Sequence, residues 1–393
     1  MQPSIRIARL SSSTEMLRLR KPLEAVPVAV QQSILSDYPK SSVFKPSETM
    51  LSERSILPSL KDCWRLSKGP LTTWVSISAF PGYLISVSWP FSLLTASSLL
   101  VGTALTSACA QTLNQMIEKD RDGLMLRTRL RPLPTGSVSL LQASTFAGIC
   151  GLLGPCLLWA GTGSVASAGI AASTAAIYAG IYTPLKTRSE YNTHVGAVAG
   201  ALPVLIGFAS IGGLSTLMNF SSPWVLFSLQ TLWQFPHFYA LAWLHKEDYA
   251  RGGYRMAPMG DLNGSKTAGI CAPYLAALCL LPLASSSLGV TSWMFAITGT
   301  VPNLLWIKLG FLPFKRMANK QTARNFFLHS LWYLIAMYAA FVIHADEQGL
   351  VSDNDWRTAV RVKMHSVCPH EWAAKDWLVP KQLCPLDKSK SLD

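Results

Sequence analysis

The chain has 393 residues, of which half are hydrophobic and only 14% are charged, and its formal net charge is +13. A soluble protein of this length would form two or three domains, but it would have to bury long stretches without a single charged residue. We expect no nucleic-acid partner, because Lys and Arg stand in short connections between hydrophobic blocks and no zinc-finger spacing, RNP-like run or basic helix register is present.

The first 68 residues differ from the rest of the chain. Up to Lys21 the segment carries five cations and several serines, with Glu15 as its one acidic residue. An amphipathic start rich in Arg and Ser is typical of an organelle transit peptide, whereas a secretory signal needs an apolar run of roughly 7–15 residues. A disordered cytosolic tail is the alternative. We predict a transit peptide followed by a poorly ordered linker over residues 1–68.

Five blocks without Asp, Glu, Lys or Arg follow, and they predict nine transmembrane helices. A helix needs about 20 apolar residues to cross a membrane. The first four blocks have 41 to 54 residues, enough for two crossings each, and the last has 20, enough for one. The predicted spans are 71–90, 93–117, 138–160, 163–183, 195–212, 223–244, 267–287, 292–309 and 325–345. We therefore expect an all-α polytopic membrane domain over residues 69–345.

The distribution of charge predicts which connections share a face of the membrane. Each two-span block should form a hairpin, and the turns inside these hairpins, such as the one near Gly213, carry no Lys or Arg. The charged connections are 114–137, 184–194, 245–266 and 308–324. The positive-inside rule places them and the N-terminus inside. The C-terminal tail 346–393 then lies outside; its role, and that of its Cys368 and Cys384, is left open.

Polar side chains at the end of the second span predict a site for a charged ligand. Asn114, Glu118 and Asp122 recur every four residues, so they share one face if the helix continues. Carboxylates at this spacing can hold a hard divalent cation, and the guanidinium groups of Arg127 and Arg131 can clamp phosphate. A magnesium diphosphate fits this order of acid and base. A solvated helix end with topogenic arginines is the alternative, and the spacing alone does not decide between them.

Two further connections on the same face carry charge. The fourth span ends in Tyr182 and Lys186, and the sixth leads into Asp248 and Arg251. The loops after spans two, four and six are thus expected to meet at one aqueous edge, which favours the diphosphate interpretation.

The sixth span also contains Pro236 and His237. A proline inside a span is expected to kink or break the helix, which is tolerated where the break lines a protein cavity. An ionisable residue inside the membrane is a functional candidate by default, and a histidine hydrogen-bonded within the bundle is the alternative.

These segments together resemble the UbiA-type intramembrane prenyltransferases, and more narrowly the protohaem IX farnesyltransferase branch. The family motifs match, in chain order, N-x-x-x-D-x-x-x-D at Asn114–Asp122 (with Glu118 in the place of the first Asp), M-x-R-T-x-x-R-P-L at Met125–Leu133, Y-T-P-L-K at Tyr182–Lys186, N-T-x-V-G-A-V from Asn192, W-Q-F-P-H-F at Trp233–Phe238 and the acidic-D-Y…G-G-Y segment at Glu247–Tyr254. Several long motifs in the right order make the match specific. It covers roughly residues 68–345 and implies a nine-helix prenyltransferase bundle.

The resemblance implies transfer of the farnesyl group of farnesyl diphosphate to a vinyl group of haem b, an early step of haem A biosynthesis for cytochrome c oxidase. The products are haem O and diphosphate. The implied catalytic residues are Asn114, Glu118, Asp122, Arg127, Arg131, Lys186 and Asp248. Among them Glu118, Asp122 and Asp248 are the implied ligands of Mg²⁺. His237, Tyr182 and Arg251 are the residues expected to bind haem, with His237 contacting either the iron or a propionate.

Other functions are weighed against this one. The first alternative is the same fold with a quinone or other aromatic acceptor, and the W-Q-F-P-H-F and Y-T-P-L-K segments argue against it. A transporter would carry its polar groups near the midplane of paired broken helices, whereas here they lie at one edge. A structural subunit of a respiratory assembly would not need clustered carboxylates and arginines at the ends of spans two and six.

Together with the transit-like start, the resemblance implies a multi-pass protein of the mitochondrial inner membrane, with the N-terminus and charged loops in the matrix. The expected partners are farnesyl diphosphate, haem b and the lipid bilayer. Hand-over of the product to a haem A synthase and formation of an oligomer are left open.

Overall fold

The computed structural model describes residues 57–87, 92–347 and 350, and within these ranges the chain forms helices and no strand. The all-α fold class is therefore confirmed for the part of the chain that is described. The predicted transit peptide and nearly all of the tail, with Cys368 and Cys384, lie outside these ranges.

Eleven helical segments follow one another in the described ranges. They are α1 (Leu60–Leu66), α2 (Gly69–Ser86), α3 (Leu93–Leu124), α4 (Leu140–Thr162), α5 (Val165–Leu185), α6 (Asn192–Asn219), α7 (Ser222–Leu244), α8 (Lys246–Arg251), α9 (Ser265–Ser287), α10 (Met294–Arg316) and α11 (Lys320–His344). Two of them contain a π-helical turn, at Ile177–Tyr182 in α5 and at Ile307–Phe311 in α10. Nine segments have 18 residues or more and correspond one to one with the predicted spans.

Seven of these nine long helices, within the described residues, are long and apolar enough to cross a membrane, namely α3 to α6 and α9 to α11. The other two, α2 and α7, hold many uncharged polar groups, such as Thr72 in α2 and Gln230 and Gln234 in α7, and these groups are buried. The chain is thus a polytopic helical membrane protein, and the count of nine crossings stays a prediction.

Helix ends differ from the predicted spans where a local interaction extends the helix. The second span was expected to end at residue 117, but α3 continues to Leu124 because the side chains of its last two turns find partners inside the protein. The last span was expected from residue 325, but α11 begins at Lys320, where Asn319 and Thr322 form a capping box.

The backbone leaves the helical conformation at Gly213 rather than at Pro236. Gly213 has φ 63° and ψ −146° within α6, a conformation that only glycine adopts readily, and it lies where the hairpin turn was predicted. By contrast, α7 runs from Ser222 to Leu244 through Pro236 without interruption. The helix therefore does not break at this proline, and a kink there stays a prediction.

Helix α6 lies between two packed halves. On one side it packs against α2 and α5, where Tyr83, Leu99 and Ile206 belong to one core cluster. On the other side it packs against α7, which in turn contacts α9 and α11 around a larger core that includes Trp306 and Phe326. This packing fixes the ends of α3, α5 and α7 relative to one another.

The charged connections meet at one end of the bundle, as the distribution of Lys and Arg predicted. The backbone amide of Arg255 donates to the carbonyl oxygen of Lys186 over 2.8 Å, which joins the loop after α7 to the loop after α5. Arg121, near the end of α3, donates to the carbonyl oxygen of Gly252 over 2.9 Å. Lys320 lies 3.9 Å from Glu247.

The opposite end of the bundle is held by the residues that follow α11. The carboxylate of Glu347 accepts hydrogen bonds from the backbone amides of Ser221 and Ser222, at 2.6 and 2.8 Å. These amides belong to the start of α7, where unpaired N–H groups need acceptors. The amide of Ser292 donates to the carbonyl oxygen of His344. The uncharged turns therefore gather at the end away from the charged loops.

A close contact between α2 and α6 gives a test of the packing. A Cβ atom added at Gly207 would lie 1.9 Å from the carbonyl oxygen of Ala79, so the two backbones cannot stay where they are. We expect Gly207→Ala to destabilise the protein by about 1–3 kcal/mol, measured as a lower melting temperature in detergent. The control is Gly169→Ala in α5, where a Cβ meets nothing within 4 Å. Equal melting of both variants would contradict this packing.

Candidate active site

Three polar side chains line one buried face at the end of α3. Asn114 and Asp122 are 0% exposed and Glu118 is 5% exposed, so the predicted continuation of this helix places all three inside the protein. Burying a carboxylate is unfavourable unless it is paired. The surrounding loops therefore have to supply cations.

Each buried carboxylate of α3 has a cationic partner from another part of the chain. Lys186, directly after α5, donates to Glu118 over 2.9 Å. Arg131, in the loop after α3, donates to the Oδ2 atom of Asp122 over 2.6 Å. The second oxygen of Asp122, Oδ1, is buried without a hydrogen-bond partner.

Asn114 lies one turn before Glu118 and joins two elements. Its Nδ2 atom donates to the hydroxyl of Thr183 over 2.9 Å, and its Oδ1 atom accepts from Nζ of Lys68 over 2.5 Å. Sequence reasoning missed both partners. Lys68 is the last charged residue before the first charge-free block, which is the signal that could have drawn attention to it.

Asp248 organises the loop that follows α3. Its Oδ1 atom accepts from the backbone amide of Leu126 over 3.0 Å and is also hydrogen-bonded to the guanidinium of Arg251. Burial alone would raise the pKa of Asp248, but the hydrogen bonds from Arg251 and Leu126 outweigh it and hold this pKa below its usual range. The carboxylate is thus ionised at neutral pH and serves as a support for the loop.

Two predicted site residues point to aromatic rings. Arg127 is exposed, and its guanidinium carbon lies 5.5 Å from the centre of the Tyr249 ring. Nζ of Lys186 lies 4.6 Å from the centre of the Tyr182 ring, next to its contact with Glu118. Tyr182 therefore lies at the carboxylate cluster, whereas the described contacts of Arg127 are directed to Tyr249.

His237 lies in a different environment, between α7 and α11. Its Nδ1 atom is 2.6 Å from the hydroxyl oxygen of Ser330, and its ring stacks on Trp233 with centroids 4.5 Å apart. The side chain is buried. No described contact joins it to the carboxylates of α3. These contacts are those of a histidine hydrogen-bonded within the bundle, and its role at haem stays a prediction.

A cavity of about 200 Å³ opens beside Glu118, between the ends of α3 and α5. It is lined by Ile117, Glu118, Arg121, Thr183, Pro184, Thr187, Arg188 and Tyr254. The hydroxyl of Tyr254 is buried without a partner, so it is available to a ligand. Tyr254 belongs to a matched sequence motif but was not predicted as a site residue.

The carboxylates are not assembled as a ready three-ligand metal site. Among the described residues, no three His, Cys, Asp or Glu side chains are grouped as a bound metal ion would require. Glu118 and Asp122 lie together on α3, whereas Asp248 is engaged with the loop. The three-carboxylate metal site stays a prediction.

The comparisons with known proteins agree with this architecture. Residues 75–332 match the UbiA prenyltransferase family. The chain belongs to this family. Solved UbiA structures share its fold: one of digeranylgeranylglyceryl phosphate synthase (TM-score 0.59, 18% identity, covering 72% of this chain and 98% of the other) and one of a UbiA homologue from Aeropyrum pernix K1 (0.56, 19%, 70% and 98%).

Curated relatives are more similar in sequence. The chain is 34% identical to protoheme IX farnesyltransferase of Solibacter usitatus, over 74% of this chain and 100% of the relative. It is 35% identical to the mitochondrial protoheme IX farnesyltransferase of Arabidopsis thaliana, over 72% and 64%, and 37% identical to the human one, over 69% and 59%. The matches thus span somewhat less than two thirds of these two mitochondrial relatives.

The support role of Asp248 can be measured directly. Asp248→Ala removes the acceptor of the Leu126 amide, so we expect faster hydrogen exchange in residues 125–128 than in the wild type. Asp120→Ala is the control, because Asp120 is exposed on α3 and its removal should leave this exchange unchanged. Unaltered exchange in Asp248→Ala, read by mass spectrometry, would show that the loop does not depend on this carboxylate.

Proposed function

We propose that this UbiA-family protein transfers the farnesyl group of farnesyl diphosphate to a vinyl group of haem b, producing haem O and releasing diphosphate. One observation carries the proposal. At the end of an apolar helical bundle, α3 buries Asn114, Glu118 and Asp122 along one face, and cations pair with the two carboxylates. A prenyl diphosphate has the matching form, since one end is highly charged and the other is a hydrocarbon that can lie between helices.

The names of the relatives support haem as the acceptor. The Solibacter usitatus relative, which this chain matches over its whole length, is named protoheme IX farnesyltransferase, and so are the Arabidopsis and human relatives. A quinone or other aromatic acceptor gains no such support. The word mitochondrial in two of these names supports a mitochondrial location. The inner membrane, with the charged loops in the matrix, is our proposal from the distribution of Lys and Arg.

The reaction needs stabilisation of a leaving group. The bond between C1 of the farnesyl chain and its oxygen breaks, and negative charge builds on the diphosphate. Lys186 and Arg131, preorganised at the site by Glu118 and Asp122, are placed to stabilise that charge. C1 then joins the vinyl carbon, and water adds to the resulting cation with loss of a proton, which gives the hydroxyethylfarnesyl chain. The apolar bundle keeps water away until the new carbon–carbon bond forms.

The donor set on α3 fits a magnesium ion. Mg²⁺ is usually held by one or two carboxylates together with substrate phosphates and water. Glu118 and Asp122 provide two adjacent carboxylates, and the buried Oδ1 atom of Asp122 lacks a partner that a metal would supply. These two residues would hold Mg²⁺, with Asp248 as a further ligand if its loop rearranges. The ion would neutralise charge on the leaving diphosphate.

We expect the haem to lie where the loop after α3 meets α5 and α7. Arg251 has 43% of its side chain exposed beside Asp248, and it could pair with a propionate. Tyr182 lies beside Lys186 and could contact the porphyrin edge. His237 would have to exchange its contact with Ser330 for the haem iron or a propionate. Hand-over to a haem A synthase and an oligomer are compatible with this arrangement.

The decisive test is a reaction with purified protein, haem b, farnesyl diphosphate and Mg²⁺. We expect a product with the mass of haem O, formed only when all three components are present. The same reaction with a quinone precursor in place of haem b is the control for the acceptor. Absence of haem O from an active, folded preparation would overturn the proposal.

The metal role of α3 is tested by Asp122→Asn. The amide keeps the shape of the side chain but removes the charge that would bind Mg²⁺, so turnover should fall by roughly a hundredfold or more. Asp120→Asn, two residues earlier and exposed, should keep wild-type turnover at every Mg²⁺ concentration. Full activity of the Asp122 variant would exclude this residue as a metal ligand.

A further inference from the structure

Lys68 is a cation of the site that none of the sequence motifs assigned. It stands between α1 and α2 and, with φ 48°, is the one residue other than glycine with a positive φ in the described part of the chain. Its side chain reaches the end of α3, where Nζ lies 2.5 Å from Oδ1 of Asn114. The connection between α1 and α2 thus contributes a charge to a site otherwise built from α3, α5 and the loops that follow α3 and α7.

The partner of Lys68 is a neutral amide and not a carboxylate. None of the ion pairs among the described residues includes Lys68, although Lys186 and Arg131 each have one. Burial and then the neighbouring charges of Arg131 and Lys186 hold the pKa of Lys68 well below its usual range. Glu118 and Asp122 oppose this shift, but neither forms an ion pair with Lys68. An anion bound against Nζ would therefore relieve the penalty on its charge.

The net charge of the cluster indicates how many negative charges that anion should carry. When Lys68 is protonated, the three cations Lys68, Arg131 and Lys186 stand against the two carboxylates Glu118 and Asp122, which leaves one positive charge. A divalent metal would raise the excess to three. A substituted diphosphate carries about three negative charges at neutral pH, since the last phosphate pKa lies near 6. The cluster with Lys68 included therefore balances a metal diphosphate.

We infer that Lys68 is a diphosphate-binding residue, whose Nζ turns from Asn114 to a phosphate oxygen of the prenyl diphosphate when the substrate enters. This inference rests on the proposed function, because it concerns the same substrate. Asn114 then keeps Lys68 directed into the site before the substrate binds. The competing role is purely structural, in which Lys68 only holds Asn114 in place.

Binding of magnesium pyrophosphate to the purified full-length chain, measured by calorimetry, tests the inference. We expect Lys68→Met to weaken binding about tenfold or more, as for loss of a charged hydrogen bond, and Lys68→Arg to restore most of it. Lys61→Met is the matched control, because Lys61 is exposed on α1. If Lys68→Met fails to fold, Lys68→Asn is used instead, since Asn tolerates a left-handed backbone.

Three further measurements separate the outcomes. Inhibition by farnesol, which has the chain without the phosphates, should be equal in the wild type and Lys68→Met. The loss caused by Lys68→Met should persist in an Asn114→Ala background, and its disappearance there would overturn direct binding. If Lys68→Met weakens pyrophosphate binding but the wild type makes no haem O, the proposed acceptor is wrong and the role of Lys68 is retained. If Lys68→Met binds pyrophosphate as the wild type does and the wild type makes haem O, the role of Lys68 is wrong and the proposed function is retained.

Discussion

The burial of two carboxylates at the end of α3 is the constraint on which the site depends. Ionised groups cannot stay inside a protein without partners, and removing one member of a buried pair typically costs several kcal/mol. Glu118 therefore requires Lys186, and Asp122 requires Arg131. Since these cations come from the end of α5 and from the loop after α3, satisfying the carboxylates also fixes where those segments lie.

Under the proposed function, the same ion pairs would serve the binding of a highly charged substrate. These pairs hold Lys186 and Arg131 beside α3, so little reorganisation would be needed when charge develops on a bound diphosphate. A metal diphosphate would exchange partners with these pairs instead of entering a bare pocket. Asp248 stands apart from this exchange because it binds the backbone of the loop, which gives the loop a fixed shape around the site.

Much of this arrangement could be predicted from the sequence. Charge-free blocks located the nine long helices of the described residues, and the four-residue spacing of Asn114, Glu118 and Asp122 placed these three side chains on one face. The positions of Lys and Arg predicted that the charged loops lie together at one end of the bundle. These features depend on one-dimensional patterns, which a single sequence displays in full.

Other features depend on three-dimensional partners and could not be predicted. The extension of α3 to Leu124 follows from ion pairs with Arg131 in the next loop and with Lys186, which is 68 residues from Glu118. The contact of Lys68 with Asn114 joins positions 46 residues apart. The expected break at Pro236 does not occur, because α7 continues through a proline that is buried in the surrounding bundle. His237 appeared functional by its position, but its contact with Ser330 is visible only once α7 and α11 are packed.

The left-handed backbone of Lys68 has a consequence for the balance between stability and activity. An L-residue in this region costs roughly 1–2 kcal/mol, which glycine would not incur. A protein optimised only for stability would therefore place glycine here, and the chain instead holds a long cationic side chain in an unfavourable backbone conformation. Strain of this kind is characteristic of functional positions. Under the proposed diphosphate-binding role, replacing Lys68 with glycine would relax the backbone but remove a cation from the binding site.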